Sequence, residues 1–585
     1  MLRGSGCLVR RRKVFFAAKY VARLGDGVNN FNGLPNNSVI LAVPRFMDPK
    51  TVATKTSGSG KRMRRLIHGC AWPVAFLLLA TEVSAQAIAR KAAPLAAGEQ
   101  RAERLLDAAR ANPLDLYAFL YRMPKGADLH VHLIGAVYAE TFIKDGAEDG
   151  FCIDILSHAF VKPRTSDTSL TASCADGQVP ASRALEDQHL YDALVDAFSM
   201  RSFVPVTGTT GHDHFFDSFD KFNALGARHI GEWVDEIATR AAAQNEQYLE
   251  LMDTPNFDHT IEIAKQVGWN DDFAKLRDEL LARGLRNDVA VARAEIDNAE
   301  NGRRQIKHCG QADAAPACRV EIRYLYQVLR GFPKEQVFAQ TLLGFETASA
   351  DPRVVGINFV MPEDGHISMR DYALQMCMVG FFHTLYPKVH ITLHAGELAP
   401  GLVPYEGLCC HIRQAVEVGH AERIGHGVDV MYEDRPYDLL REMAAKHVMV
   451  EINLTSNDVI LGVTGKDHPL PIYRKYGVPV ALSTDDEGVS RIDLTHEFVR
   501  AVETYGLHYA DLKQMARTSM EHDFLPGESL WRAPDAFGEP AAACARDALG
   551  AERPSATCAA FLAHSDKARA QWELERRFRA FESAP

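Results

Sequence analysis

Eight short runs with the composition of β-strands recur between amphipathic helical segments, and this alternation limits the possible folds more than any other feature. The runs cover residues 127–133, 247–254, 322–329, 354–360, 390–397, 423–430, 448–457 and 478–486. Strands that alternate with helices pair in parallel, and eight such repeats favour a closed barrel. We therefore predict the α/β class, with a (β/α)₈ TIM barrel as the architecture.

Other segments flank and interrupt this barrel, which we place at residues 127–490. An N-terminal helical segment covers residues 86–126, and a C-terminal helical segment covers residues 491–585. Residues 134–246 separate the first two predicted strands, far more than an ordinary strand-to-helix connection needs. The gap predicts an insertion after strand 1, at about 145–240, on the face that carries the βα loops.

Residues 63–85 have the three parts of a secretory signal. Two arginines precede an apolar stretch, and the small residues Val-Ser-Ala precede Gln86. The apolar stretch is much shorter than the roughly 20 residues that span a bilayer. We therefore predict export, to a periplasm or to the outside, with no stable membrane anchor. Residues 1–62 are interpreted as a non-native extension or as a disordered leader.

The charge balance excludes one large class of partners. Beyond residue 85 the chain has 51 Lys and Arg residues against 73 Asp and Glu residues, a formal net charge of −22. So acidic a surface repels a phosphate backbone, which argues against nucleic-acid binding and disfavours phosphorylated substrates.

Cysteine spacing predicts three disulfides, because an exported protein folds under oxidising conditions. The adjacent Cys409 and Cys410 lack an accompanying C-x-x-C motif, which argues against a structural zinc site there. The three predicted pairs lie at short separations in polar stretches: Cys152 with Cys174, Cys309 with Cys318, and Cys544 with Cys558.

Histidines and an aspartate stand at the ends of three predicted strands. His130 and His132 are one residue apart, so on a strand both side chains point to the same face. His394 and Asp485 lie at the ends of the fifth and eighth strands. The carboxyl ends of barrel strands meet at one face, where catalytic residues gather. Three imidazoles and a carboxylate suit Zn²⁺ with one position open for water. We therefore predict one catalytic zinc ion per chain.

Three further groups fit hydrolysis around such an ion, which activates water at neutral pH. Glu397 lies three residues beyond His394 and can serve as a proton donor. His426 can accept a proton from water or hold the water in line, and Asp486 can hydrogen-bond the substrate.

Polar residues in and after the seventh predicted strand are interpreted as structural. His468 precedes a proline in a loop. Asn453, Ser456 and Asn457 have amide and hydroxyl groups that can satisfy backbone atoms near the mouth of the barrel.

The sequence resembles the adenosine deaminase family in six motifs that occur in the family order. The MPKG lead-in, the secretory signal and the cysteine-bounded insertion are similar to the secreted, growth-factor-related branch of that family. The motifs are MPKGADLHVHLIG (123–135), LHAGE (393–397), RIGHG (423–427), EINLTSN (451–457), HPL (468–470) and LSTDDEG (482–488).

The resemblance implies hydrolysis of the 6-amino group of adenosine and 2′-deoxyadenosine, with release of ammonia. It implies zinc on the four residues named above. Glu397 would protonate purine N1, His426 would act as a base and electrostatic stabiliser, and Asp486 would hold N7. Secreted relatives can pair through added N-terminal helices, which would make this chain a homodimer through residues 98–122.

The resemblance also suggests substrate-binding residues. Phe215, Phe216 and Phe219 occur at helical spacing, as core residues or as an apolar wall over the purine. Met361 and Glu363 follow the fourth strand, where the family contacts the base.

Three positions depart from the family pattern. Ile134 replaces an aspartate used on the ribose 5′ side, Met361 replaces a glycine near purine N3, and Glu487 replaces a proline. The chemistry is therefore better defined than the substrate. Two alternatives stay open: a deaminase of another 6-aminopurine, such as adenine or a modified nucleoside, and a non-catalytic secreted binding or signalling protein on the same barrel.

Overall fold

The computed structural model describes residues 96–166 and 169–584. The interpretations of residues 1–62 and 63–85 therefore concern residues outside the described part. Within the described residues, no helix has both the length and the apolar character needed to cross a membrane.

The N-terminal segment folds as two helices, Ala97–Ala109 and Pro113–Arg122. Asn112 caps the second helix, because its side chain accepts a hydrogen bond from the Leu114 amide. Pro113 occupies the first helical position, where a missing N–H costs nothing. The described part of this segment, from residue 96, is thus helical on both sides of Pro113.

Eight parallel strands pair in sequence order and form one sheet. Beyond β8, the Asp485 amide donates to the His130 carbonyl over 2.8 Å, and the His132 amide donates to the Asp485 carbonyl over 3.0 Å. These bonds close the sheet, and the predicted (β/α)₈ barrel is confirmed. The strands are β1 (Gly126–His132), β2 (Glu246–Asp253), β3 (Glu321–Leu329), β4 (Val354–Val360), β5 (His390–Ala395), β6 (Arg423–His426), β7 (Met449–Ile452) and β8 (Val480–Leu482).

At least one helix follows each barrel strand. Four short 3₁₀ helices lie in the connections after β2, β5, β6 and β7: Pro316–Arg319, Tyr405–Leu408, Val430–Tyr432 and Gly465–Asp467. From β2 to the end of the described chain, the α-helices are Asp258–Val267, Phe273–Ala282, Asn287–Ile306, Lys334–Ala350, His366–Leu385, His411–Glu417, Pro436–Lys446, Leu454–Leu461, Leu470–Tyr476, Glu487–Ser490, Leu494–Tyr505, Tyr509–Glu521, Ala556–Ala563 and Asp566–Ser583.

The long connection between β1 and β2 has its own secondary structure. The short strand Cys152–Asp154 pairs antiparallel with Phe160–Val161 and with Gln178–Pro180, and Arg164–Ser166 pairs with Ser169–Ser173. The helices of this connection are Ala139–Glu148, Ala181–Leu185 (3₁₀), Gln188–Ala197, Gly211–Phe222, Asn223–His229 (3₁₀) and Ile230–Ala243. The exact limits of the insertion and of the flanking segments stay predictions.

The three predicted disulfides are confirmed. They join Cys152 to Cys174, Cys309 to Cys318 and Cys544 to Cys558. A further disulfide joins the adjacent Cys409 and Cys410, which the sequence did not predict.

The interior of the barrel explains why polar residues in the strands are informative. Every residue of β1, β2, β6, β7 and β8 is buried, as expected for a parallel sheet that is covered on both faces. A histidine or carboxylate in such a strand costs free energy unless a partner satisfies it.

Candidate metal centre and active site

The four predicted metal ligands converge at the carboxyl end of the barrel. The Nε2 atoms of His132 and His394 lie 3.2 Å apart, and His132 Nε2 lies 3.2 Å from Asp485 Oδ1. His130 Nε2 lies 3.4 Å from the same oxygen. Four ligand atoms bound tetrahedrally to zinc at about 2.0–2.1 Å are separated by about 3.3 Å. Each of these three separations therefore matches the spacing of a coordination shell.

Strained backbone at two strand ends sets the direction of the Asp485 and His426 side chains. Asp485, just beyond β8, has a φ of 64°, and His426, at the end of β6, has a φ of 69°. Residues other than glycine rarely adopt this left-handed conformation, which costs about 1–2 kcal/mol. Such strain is common where a site fixes the direction of a side chain.

Hydrogen bonds at Nδ1 set the tautomer of the three ligand histidines. An acceptor oxygen at Nδ1 places the single proton of a neutral imidazole on that nitrogen, so the Nε2 lone pair faces the site. The bonds run from His130 to Glu451 (2.6 Å), from His132 to Gln327 (2.6 Å) and from His394 to Asn358 (2.7 Å).

This arrangement calls for a cation. Two Nε2 lone pairs face each other across 3.2 Å beside the Asp485 carboxylate. His130 Nε2 is buried and has no hydrogen-bond partner among the described residues. Lone pairs and a carboxylate at these distances repel one another unless a positive ion lies between them. The donor set therefore fits a divalent metal ion.

His426 has the other tautomer, with its proton on Nε2 rather than on Nδ1. The Leu470 amide donates to His468 Nδ1 (3.1 Å), so His468 Nε2 carries the proton and donates to Asn457 Oδ1 (3.0 Å). The amide nitrogen of Asn457 then faces His426 Nδ1 at 2.9 Å and donates to it. The His426 proton is therefore on Nε2, 3.9 Å from Asp485 Oδ2. Although His426 could also complete a metal cluster by position, it presents a donor to the site rather than a lone pair.

A buried ion-pair network supports His130. Arg423 lies inside the barrel and donates to Glu451 and to Glu250, each over 2.7 Å. Burial raises the pKa of Glu451, but the Arg423 charge and the His130 hydrogen bond outweigh it and hold that pKa at about 2. Glu451 therefore stays ionised and orients the imidazole ring.

Glu397 lies next to the metal ligands as a buried acid. Its Oε1 is 3.7 Å from His426 Nε2, and the side chain is 8% exposed. Burial, together with the charges of Asp485 and Glu363, raises the pKa of Glu397 well above its usual value. This shift favours the protonated form that a proton donor needs.

Glu363 holds the backbone of this proton donor. Its carboxylate accepts hydrogen bonds from the amides of Gly396 (3.0 Å) and Glu397 (2.8 Å), and from His411 Nδ1 (2.5 Å). Against the effect of burial, these partners lower the pKa of Glu363 to about 2. With both oxygens engaged, Glu363 lies behind the cavity wall, so the geometry favours a positioning role over the predicted contact with the base.

Asp486 reaches the site because Gly135 leaves room for it. A Cβ atom at residue 135 would lie 1.5 Å from Asp486 Oδ1. That oxygen is buried without a hydrogen-bond partner among the described residues. Burial is the main cause that raises the pKa of Asp486 to about 8.

A cavity of about 550 Å³ opens over these groups. Phe215, Phe216 and Phe219 of the helix Gly211–Phe222 line it, as do Glu397, His426 and Asp486. All three rings also contribute to the core: Phe215 is buried within it, and Phe216 and Phe219 are partly buried against it. The predicted aromatic wall and the polar groups thus share one chamber, of a volume typical for a small-molecule site.

Met361 lines the same cavity with its backbone in the left-handed region, at a φ of 95°. Its side chain turns against Gly331, whose amide lies 3.3 Å from the Met361 sulfur. A Cβ atom on Gly331 would meet that side chain at 2.8 Å. The backbone therefore keeps a conformation that favours glycine, and the methionine packs sideways.

Sequence comparison supports a family assignment. A family model described as adenosine deaminase matches residues 199–532, more than half of the chain. The adenosine deaminase of Clostridium perfringens (strain 13 / Type A) is 36% identical over 139 residues, 24% of this chain and 39% of that protein. That of Vibrio atlanticus (strain LGP32) is 30% identical over 216 residues, 35% of this chain and 56% of that protein. The alignments thus span about 40 to 55% of these relatives.

Solved structures resemble the chain more distantly. An adenine deaminase from Arthrobacter aurescens is 17% identical, with a TM-score of 0.43 over 69% of this chain and 94% of that one. An Arabidopsis N6-mAMP deaminase is 19% identical, with a TM-score of 0.44 over 70% of this chain and 96% of that one.

The matched residues contain His394, Glu397, His426, Asp485 and Asp486, and the barrel brings β1 with its two histidines against Asp485. The chain therefore belongs to the adenosine deaminase family.

Proposed function

We propose that this chain is a zinc-dependent purine nucleoside deaminase that hydrolyses adenosine and 2′-deoxyadenosine to the corresponding inosines and ammonia. One observation carries the proposal. The Nε2 atoms of three histidines and the carboxylate of one aspartate meet beside two buried carboxyl groups of raised pKa, next to a single cavity.

Zinc fits the donor set of three neutral imidazoles and one carboxylate. When bound, the ion supplies a Lewis acid and an activated water molecule at neutral pH. His130, His132, His394 and Asp485 would hold it, and three separations of 3.2 to 3.4 Å among their donor atoms support this set.

The two protonated acids suit a purine ring. Glu397 donates its proton to N1, which makes C6 electrophilic, and water adds at C6. Asp486, protonated because its pKa lies at about 8, donates a hydrogen bond to N7. One proton of the attacking water returns to the Glu397 carboxylate. The other passes from the new C6 hydroxyl to the amino group as the C6–N bond breaks, so ammonia leaves and a 6-oxopurine protonated at N1 remains.

His426 acts as a hydrogen-bond donor in this scheme. Its Nε2–H points towards the groups around Asp485, and burial lowers its pKa to about 3, so the ring stays neutral. A fixed donor of this kind stabilises negative charge that develops on the attacking oxygen. This role agrees with the prediction that His426 is an electrostatic stabiliser, and it argues against the prediction that His426 is a base.

The cavity walls favour a nucleoside over a nucleotide. Among the described residues, neither Lys nor Arg lines the cavity, whereas Asp220, Asp253 and the active-site carboxyls do. A phosphate group would meet negative charge without a counter-ion, which costs binding free energy.

We further propose that the protein is exported and belongs to the secreted, growth-factor-related branch. The four disulfides among the described residues support an oxidising compartment.

We also propose a homodimer that forms through the two N-terminal helices. These helices carry three apolar side chains that are each more than 40% exposed: Leu105, Leu114 and Tyr117. Light scattering at increasing concentration tests the dimer, with Leu114→Glu as the disrupting variant.

A product assay tests the proposed activity. The zinc-loaded protein is incubated separately with adenosine, 2′-deoxyadenosine, adenine and AMP, and both the purine product and ammonia are measured. We expect inosine and ammonia in equal amounts from adenosine, and much slower reaction of AMP. Turnover of adenine alone would assign another 6-aminopurine as substrate, and no turnover of any of the four would refute the proposal.

A further inference from the structure

A side chamber of about 290 Å³ adjoins the main cavity. Four residues line both spaces and form the neck between them: Ile134, Asn223, Asp253 and Thr254. Ile134 is the position where the family pattern has an acid for the ribose. The neck is therefore the passage by which a group attached to a base in the main cavity can reach the side chamber.

Within the described chain, one oxygen of the Asp253 carboxyl group lacks a hydrogen-bond partner in this neck. Asp253 is the last residue of β2 and is 7% exposed. Its Oδ2 atom is buried and has no hydrogen-bond partner among the described residues. Burial, with the nearby Glu295 carboxylate, raises the pKa of Asp253 to about 7. A buried carboxyl oxygen without a donor is costly, and this one lies on the wall of a cavity.

The surroundings of Asp253 limit what could satisfy it. The side chamber is lined by apolar residues, among them Phe142, Phe222 and Trp233, and by the acid Glu295. Among the described residues, no Lys or Arg lines it. A ligand at this point must therefore bring a hydrogen-bond donor and no negative charge. An alcohol hydroxyl meets both conditions.

The neck is also connected to the metal ligands. Thr254 Oγ1 accepts a hydrogen bond from Gln327 Nε2 over 3.0 Å, and Gln327 Oε1 accepts the Nδ1–H of His132. In the sheet, His132 pairs with Met252, the residue before Asp253. A group bound at Asp253 is thus held in a fixed position relative to the metal centre.

We infer that Asp253 accepts a hydrogen bond from a ribose hydroxyl of the purine nucleoside, and so replaces the acid that is absent at Ile134. This inference rests on the proposed deaminase function. It assigns the base to the main cavity, the sugar to the neck and the side chamber, and the choice of nucleoside over free base to a residue of β2.

The test combines two substitutions with a set of substrates. Asp253→Asn keeps the size of the side chain and removes its charge, and Asp253→Leu also removes the acceptor. Asp217→Asn is the matched control, since this exposed carboxylate pairs with Lys221 and lines neither cavity. kcat/KM is measured for adenosine, its 2′-, 3′- and 5′-deoxy forms, and adenine. Calorimetry adds the binding of inosine and hypoxanthine, which need no turnover.

We expect Asp253→Leu to lower kcat/KM for adenosine by about tenfold to a hundredfold, the usual effect of leaving a buried hydroxyl without its hydrogen-bond partner. One deoxy nucleoside should escape this loss, and inosine binding should weaken while hypoxanthine binding does not. Thermal melting confirms that each variant is folded. An equal loss for all deoxy forms, or no loss with adenosine, would overturn the inference. Failure of the wild-type protein with every nucleoside would instead refute the proposed function.

Discussion

Asn457 donates a hydrogen bond to His426 Nδ1 over 2.9 Å. The proton of this ring therefore lies on Nε2, whereas in the three ligand histidines it lies on Nδ1. We predict that Asn457→Asp, which offers an acceptor instead, moves the proton to Nδ1. kcat should then fall by about 10²–10³-fold, the usual cost of losing a donor to developing negative charge. Nitrogen NMR of the histidine rings reports the change directly.

The control for this substitution is Asn453→Ala, because Asn453 lies 3.4 Å from the same nitrogen and should contribute less. An Asn457→Asp protein with an unchanged His426 tautomer, or with wild-type kcat, would contradict the assigned role.

The support of His130 by Glu451 predicts an effect on metal affinity. Glu451→Gln removes the carboxylate that orients the ring, and loss of such a partner weakens metal binding about 10- to 100-fold. Competition with a chromophoric chelator measures this change. Glu250→Gln is the matched control, because Glu250 binds the same Arg423 without contacting His130. Equal losses in the two variants would show that the ion-pair network, rather than the imidazole contact, is responsible.

Glu363 should affect turnover without affecting the metal. Glu363→Gln weakens the hold on the Glu397 amide, so kcat should fall while the metal content stays the same. Glu433→Gln, a buried carboxylate that accepts the Arg413 amide nearby, is the control. Loss of metal from the Glu363→Gln protein would assign this residue to the metal centre instead.

The same residue predicts a pH dependence of stability. The pKa of Glu363 falls from 4.5 in the unfolded chain to about 2 in the folded protein, so its contribution of roughly 3 kcal/mol is complete only above pH 4.5. It declines as the pH falls from 4.5 towards 2. The free energies of unfolding of wild type and Glu363→Gln, measured by urea titration from pH 7 to pH 3, should therefore converge. A constant difference would contradict the assigned partners.

Gly135→Ala tests the placement of Asp486. The added methyl group would overlap Asp486 Oδ1, so the acid must turn away from the cavity. We predict a loss of kcat as large as that of Asp486→Asn, with normal metal content. Full activity of Gly135→Ala would indicate that Asp486 takes no part in the reaction.

Local patterns predicted the barrel and the metal donors because each depends on short stretches of sequence. Alternating strands and helices define the fold, and a histidine inside an apolar strand already signals a buried ligand. His130 and His132 could thus be assigned before any contact was known.

The supporting residues could not be identified in this way. Gln327, Asn358 and Asn457 are neutral amides whose partners lie 195, 36 and 31 positions away in the chain. Only the strand register brings Gln327 to His132. His468 and Asn457 were interpreted as structural, since a hydrogen bond that sets the tautomer of another ring leaves no local signal.

Diffraction from a crystal of the zinc-loaded protein, measured at the zinc absorption edge, tests the central claim most directly. We predict one anomalous peak per chain, bonded at about 2.0–2.2 Å to Nε2 of all three ligand histidines and to the Asp485 carboxylate, with His426 Nε2 unbound. No peak at this end of the barrel, or a peak coordinated by His426 in place of a β1 histidine, would contradict the account.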